Sequence, residues 1–219
     1  MDKIALVVVD VQWDFLPPDG NLAVPDGLAV IPVIQELCRS GTFDLIVFTQ
    51  DWHPPGHVSF ASSHPGHKPL DEVDVGSPPV RQTLWPSHCV QGSHGAEIHP
   101  DLLASVDETA PVGFIQKGSL TWVDSYSGFW DNARGNATGL DSILRKHEVT
   151  RVVVCGLAMD FCVGYTALDA LEGGFETSVV LDATRGMDKE RVEAMLGKIV
   201  DRGGFVRVSQ EFITRKLLG

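Results

Sequence analysis

Arg151-Val-Val-Val-Cys-Gly-Leu-Ala-Met-Asp-Phe-Cys162-Val-Gly-Tyr-Thr-Ala167 carries a strand, a tight turn and a helix start in one run. Val152 to Cys155 is continuously apolar, the pattern of a strand covered on both faces. Small residues, Gly156 and Ala158, follow it. A helix is expected to open near Asp160, which puts Cys162 in its first turn. A thiol there feels the positive end of the helix dipole, which favours thiolate. Nucleophilic chemistry needs that position, whereas a purely structural cysteine does not.

The same strand signal recurs along the chain. Ile4 to Val9, Leu45 to Thr49, Val112 to Gln116, Ser178 to Leu181 and Phe205 to Val208 are short apolar runs, mostly without alternation. Between them, Leu28 to Arg39, Gly139 to His147, Phe161 to Glu172 and Lys189 to Arg202 carry apolar residues at helical spacing. The last is the clearest, with Val192, Met195, Leu196 and Ile199 forming one stripe. Alternating strands and helices predict a doubly wound α/β domain, a six-stranded mostly parallel sheet of Rossmann-like type with helices on both faces. No repeat or linker divides the chain, so residues 1–219 read as one domain.

Composition narrows the function. The chain has 219 residues, 43% of them hydrophobic, enough for one large core. Its net charge of −12 repels phosphate backbones and anionic lipid, which argues against nucleic-acid and membrane-surface roles. No apolar run approaches a membrane span and no signal peptide is visible. The four cysteines, Cys38, Cys89, Cys155 and Cys162, lack disulfide-framework spacing, so a reduced, cytoplasmic protein is expected.

In open parallel sheets, sites form beyond the carboxyl ends of the strands. Asp10 follows the first strand, Asp51 and His53 the second, Lys117 the third, and the Gly156–Cys162 turn the fourth. Convergence of Asp, Lys and Cys has a chemical logic. A free thiol has a pKa of about 8.5, so little of it is thiolate at neutrality. A carboxylate in reach can take its proton and later pass it to a leaving amine. No histidine neighbours Cys162 in sequence, so Asp10 is the better base.

A second constellation lies in the stretch from Asp51 to about His99, rich in Pro, Gly, Ser and His. Six of the eight histidines fall inside it and His99 sits at its edge, and a loop this long is usually functional or disordered. Asp51 and His53 are two apart, so on an extended segment both reach one side. His88, in Leu84-Trp-Pro-Ser-His-Cys89, supplies a third donor. Two imidazoles and a carboxylate with open positions suit a catalytic divalent ion: Zn²⁺ foremost, with Fe²⁺ and Mn²⁺ also accommodated. His57, Ser59 and His94 are lesser candidates. Cys89 is expected to point away if His88 points in.

With these residues assembled, the chain resembles the nicotinamidases of the isochorismatase-like cysteine hydrolase superfamily. The resemblance is carried by Val8-Val-Asp-Val-Gln-Trp-Asp-Phe15, Thr49-Gln-Asp-Trp-His-Pro54, Leu84-Trp-Pro-Ser-His-Cys89, Lys117-Gly118 and Gly156-Leu-Ala-Met-Asp-Phe-Cys-Val163. It implies a catalytic triad of Asp10, Lys117 and Cys162 and metal ligands at Asp51, His53 and His88. It also implies a cis peptide between Leu157 and Ala158, with an oxyanion hole from the N–H groups of Ala158 and Cys162. Trp13 and the Ser62–Gln82 loop depart from the family pattern, which leaves open a fourth protein ligand.

The implied reaction is hydrolysis of nicotinamide to nicotinate and ammonia through a thioester, within NAD salvage, with pyrazinamide as a second substrate. Phe15, Trp85 and Tyr126 are the expected pocket walls. The partner is a small molecule, and a homo-oligomer is allowed. A sibling amide or N-carbamoyl hydrolase would keep Asp10, Lys117 and Cys162 without needing the metal set. A non-catalytic binding protein on this scaffold is the rival from another class, and a redox-sensing thiol protein a third. The first strand ends in Asp10-Val-Gln-Trp rather than a glycine-rich phosphate turn, which disfavours nucleotide binding.

Overall fold

The computed structural model describes residues 2–107 and 110–213. The ends of the expected 1–219 domain therefore lie outside the described residues. In chain order the elements are β1 (Lys3–Val9), α1 (Val30–Arg39), β2 (Leu45–Asp51), β3 (Glu72–Val75), β4 (Val80–Thr83), α2 (Pro100–Leu103), β5 (Val112–Lys117) and α3 (Leu140–Lys146). They continue with β6 (Val149–Leu157), α4 (Gly164–Glu172), β7 (Glu176–Arg185), α5 (Lys189–Asp201), β8 (Phe205–Arg207) and α6 (Gln210–Ile213).

Six strands form one sheet in the order β5-β2-β1-β6-β7-β8, and every pairing in it is parallel. The predicted doubly wound sheet is thus observed. Side chains of β1 alternate between two cores, as the period of a strand requires. Ile4, Leu6 and Val8 join α1 and the Phe43–Phe212 side. Ala5, Val7 and Val9 join the side of α3, α4 and α5. Both faces are covered, which is why these runs read as continuously apolar. Among the described residues no helix is long and apolar enough to cross a membrane.

The chain winds outward from β1 to β2 and β5, then returns to β6 and winds the other way. The switch point therefore falls between β1 and β6, the place where such sheets open a crevice. Gly156 makes that junction tight. It pairs with Val9, its φ is 110°, and a Cβ there would lie 2.1 Å from the Val9 carbonyl oxygen.

Three differences from the sequence reading matter. The helix expected from Phe161 opens as a π-turn, Met159–Val163, with Phe161 at φ −132° and ψ −107°; regular α-helix begins only at Gly164. Within the long loop, β3 and β4 pair antiparallel as a hairpin. Strands β6 and β7 extend past their apolar centres, because ladder pairing carries polar residues such as Thr184 and Arg185 into the sheet.

Candidate active site

The four strands expected to carry the chemistry are neighbours, β5-β2-β1-β6. Register puts Lys117 opposite Asp51 and Val9, just before Asp10, opposite Gly156. Asp10, Asp51, Lys117 and Cys162 are all buried. The Lys117 ammonium lies 2.8 Å from Asp10 Oδ2 and 3.3 Å from Cys162 Sγ. It donates to the Ser125 carbonyl at 2.9 Å and is ion-paired with Asp51. Thr49 Oγ1 donates to Asp10 Oδ1 at 2.6 Å. Carboxylate oxygens of Asp10 and Asp51 and the Cys162 sulfur lie within 4.8 Å of one another.

Charge in this cluster is decided by burial and by one cation. Burial pushes the Asp10 carboxyl above the usual carboxylate range, against the pull of Lys117. Burial opposes ionisation of Asp51 as well, but Lys117 and His53 outweigh it and hold that carboxyl well below its ordinary value. Burial disfavours the Lys117 charge, yet Asp10 and Asp51 hold the amine well above its ordinary value. Burial pushes Cys162 well above the thiol range, Lys117 pulling against it and Asp10 adding to it. This corrects the expectation of a dipole-favoured thiolate. The sulfur is buried, and desolvation of a thiolate exceeds what Lys117 returns. The resting thiol is neutral and needs a base.

Next to this cluster, Asp51 Oδ2 lies 3.5 Å from His53 Nε2 and 3.7 Å from His88 Nε2. The other ring nitrogens are turned to backbone carbonyls: His53 Nδ1 to Gly118 at 2.9 Å and His88 Nδ1 to Pro86 at 2.8 Å. A carbonyl only accepts, so both Nδ1 atoms carry a proton, and in the neutral rings both Nε2 lone pairs are turned toward Asp51. Gly118 (φ 61°) permits this approach, since a Cβ there would lie 2.4 Å from the His53 ring. His53 Nε2 is buried without a hydrogen-bond partner. Burial disfavours positive charge on that ring, but Asp51 more than offsets it and raises the His53 pKa. Two imidazole lone pairs and a carboxylate converging on a spot that attracts positive charge fit a divalent cation.

The lesser candidates sort by their partners. His57 turns Nε2 to the Val123 carbonyl at 3.2 Å and Nδ1 to Ser59 Oγ at 2.7 Å, so both nitrogens are engaged. Burial, and then His53 at a ring distance of 4.2 Å, push its pKa down to about 4. His94 is exposed and pairs with Glu97 at 2.8 Å, away from the cluster. Cys89 is buried, and its sulfur lies 3.8 Å from the Gly95 carbonyl.

One narrow cavity opens onto both clusters. Cys162, Asp51, His88 and Ala158 line it together with Phe15, Trp85 and Tyr126. The Leu157–Ala158 peptide is cis. Asp124 and Phe161 also line this cavity and were missed in the sequence. Phe161 meets Trp85 edge-on at 5.0 Å and Tyr126 at 5.4 Å. Its place beside Cys162 was an available signal; Asp124 had none, because only tertiary folding brings it within 4.8 Å of the His53 and His57 nitrogens.

The fold and cluster define a doubly wound α/β protein with a thiol, a carboxylate and an ammonium at the switch point. Residues 4–211 match the Isochorismatase domain, and the chain belongs to that family. It is 46% identical over 188 residues to the nicotinamidase of Acinetobacter baylyi, covering 85% of this chain and 83% of that one. It superposes on the yeast nicotinamidase bound to the inhibitor nicotinaldehyde with a TM-score of 0.89 at 32% identity, over 94% of this chain and 99% of that one. Against the pyrazinamidase of Pyrococcus horikoshii in complex with zinc the TM-score is 0.75 at 37% identity, over 94% and 99% of the two chains.

Proposed function

We propose that the chain is a metal-dependent cysteine amidohydrolase that converts nicotinamide to nicotinate and ammonia and also accepts pyrazinamide. The carrying observation is the meeting of Asp10, Lys117 and Cys162 beside Asp51, His53 and His88, with Cys162, Asp51 and His88 lining one cavity. A sibling hydrolase for carbamoyl compounds would have no use for the second set, and a mere binding protein for neither. The relatives named nicotinamidase and pyrazinamidase support the same reading.

The chemistry follows from the charges. Burial that raises the Asp10 carboxyl makes it a stronger base. It takes the Cys162 proton as the sulfur attacks the carboxamide carbon. Charge moves onto the carboxamide oxygen, where the N–H groups of Ala158 and Cys162 receive it; losing one such donor costs about 10²–10³ in rate. Collapse breaks the C–N bond, and Asp10 passes its proton to the nitrogen, which leaves as ammonia. Asp10 then takes a proton from water as its oxygen attacks the thioester. The C–S bond breaks, the sulfur regains the proton, and nicotinate leaves. Lys117 holds Asp10 and the developing thiolate in place throughout. Phe15, Trp85, Tyr126 and Phe161 fix the plane of the ring. A divalent ion held by Asp51, His53 and His88, zinc foremost, would supply an open position for the pyridine nitrogen.

This reading places the chain in NAD salvage, as one cytoplasmic domain spanning residues 1–219 with a small molecule as its partner. The test is ammonia release from nicotinamide, pyrazinamide and an N-carbamoyl compound, with elemental analysis of the protein. Cys162→Ala is expected to abolish turnover with the fold retained by circular dichroism. Normal turnover in that variant would eliminate the covalent scheme, and preference for the carbamoyl compound would move the chain to the sibling class.

A further inference from the structure

Beyond β1 the chain reads Asp10-Val-Gln-Trp-Asp14, and the mechanism above uses only Asp10. The other two polar residues are as deeply placed: Gln12 is 0% exposed and Asp14 7%. Neither touches the cavity. We propose that Gln12 and Asp14 are positioning residues that aim the metal ligands Asp51 and His88. The inference rests on the metal site proposed above and adds two residues to it.

Gln12 grips the backbone of Asp51 from both sides. Its Oε1 accepts the Asp51 N–H at 2.8 Å, and its Nε2 donates to the Asp51 carbonyl at 2.8 Å. The same Nε2 donates to the Ala96 carbonyl at 2.8 Å. The amide thus does for Asp51 what another strand would do, just where β2 ends. With its backbone pinned, the Asp51 carboxylate is left to face His53, His88 and Lys117.

Asp14 acts on His88 through the next peptide. Its Oδ2 accepts the Cys89 N–H at 2.7 Å, and Cys89 sits at φ 46°, a left-handed conformation that side chains disfavour. That N–H belongs to the peptide plane joining His88 to Cys89, so holding it sets the direction in which the His88 ring leaves the chain. Oδ1 accepts the Asn21 N–H at 3.3 Å, next to Leu22 of the cavity wall. Gly95 closes over the carboxylate: a Cβ there would lie 2.1 Å from Asp14 Oδ2. Among the described residues Asp14 has no ion pair, and burying a carboxylate against N–H donors alone is costly. Its contacts run to the ligand-bearing loop and the cavity wall, which gives that cost a purpose.

The test uses the full chain, stripped of metal and titrated with zinc alone against a chromophoric chelator. Asp14→Ala and Gln12→Leu are each expected to weaken zinc binding about 10–100-fold, as loss of a ligand-orienting partner does. Asp14→Asn keeps an acceptor for the Cys89 N–H and is expected to stay within a few-fold of wild type. Asp182→Asn is the structural control, since its carboxylate holds Ser209 N at 2.8 Å and Ser209 Oγ at 2.6 Å at a distant turn; it should leave zinc affinity unchanged. At limiting zinc, the KM for nicotinamide should rise in Asp14→Ala, and saturating zinc should restore it with kcat nearly unaltered. Wild-type zinc affinity in both Asp14→Ala and Gln12→Leu overturns the positioning role, as does an Asp14→Asn protein as weak as Asp14→Ala. Should Asp14→Ala fail to fold, Gln12→Leu and Asp14→Asn carry the comparison. A wild-type chain that binds no zinc would instead remove the metal site itself.

Discussion

Replacing Gly156 by alanine is expected to destabilise the protein more than any other single methyl added to the central sheet. Two costs combine. The backbone is held at φ 110°, a region nearly reserved for glycine, and forcing a side chain there costs about 1–3 kcal/mol. The new Cβ would lie 2.1 Å from Val9 O and 2.7 Å from Val9 N. Both are backbone atoms of a central strand, so no rotamer change relieves the clash, and overpacking adds about 1–3 kcal/mol. The sum, about 2–6 kcal/mol, is a large part of a typical stability of about 5–15 kcal/mol. Urea unfolding followed by circular dichroism reads it as a lower midpoint. Gly113→Ala is the matched control in β5: its Cβ meets Ile143 and Val47 methyls at 3.5 Å, an ordinary contact. That variant should lie within about 1 kcal/mol of wild type, on the stable side if unfolded-state entropy dominates. Because Val9 precedes Asp10, Gly156→Ala should also lose activity in its folded fraction. Equal midpoints for the two variants would refute the argument that close strand approach at the switch point requires glycine.

Other expectations follow from single contacts. Gly118→Ala drives a Cβ to 2.4 Å from His53 Cε1, so zinc affinity should drop at least about tenfold; unchanged affinity would remove His53 from the ligand set. Asp188 accepts the Arg191 N–H at 2.9 Å as the N-cap of α5, so Asp188→Ala should cost about 1 kcal/mol in a thermal melt, and an unaltered melt would show that the cap contributes nothing. Burial pushes the Cys38 thiol up to about 11. The folded form therefore keeps that proton where the unfolded chain has lost it, and stability present below about pH 9 declines as pH rises toward 11. Cys38→Ala should flatten the stability profile in that window by at most about 2–3 kcal/mol, and an equally steep profile would contradict the assignment.

The strands were legible because a sheet covered on both faces needs no polar alternation, so Ile4–Val9 and Val152–Cys155 stand out as unbroken apolar runs. Their full lengths were not, since Glu176, Thr184 and Arg185 enter β7 through ladder pairing rather than propensity. The β3–β4 hairpin was passed over, although Glu72-Val-Asp-Val alternates and Gly76-Ser-Pro-Pro79 can turn. The residue types of the site could be read because each follows a strand end. The Asp51-x-His53 spacing and the Leu84–Cys89 segment already put His53 and His88 ahead of His57; the reason His57 stands aside, with both ring nitrogens taken by Ser59 and Val123, came only from the tertiary contacts.

Sequence alone determined the class of fold, the strand ends that bear Asp10, Asp51, Lys117 and Cys162, and the family resemblance; these depend on local periodicity and on short motifs. Tertiary structure decided the charge state of the thiol, the lone pairs that face Asp51, and the reach of Asp124 and Phe161 into the cavity. Such properties arise from desolvation and from contacts between residues far apart in the chain, and neither is written in any local stretch of it.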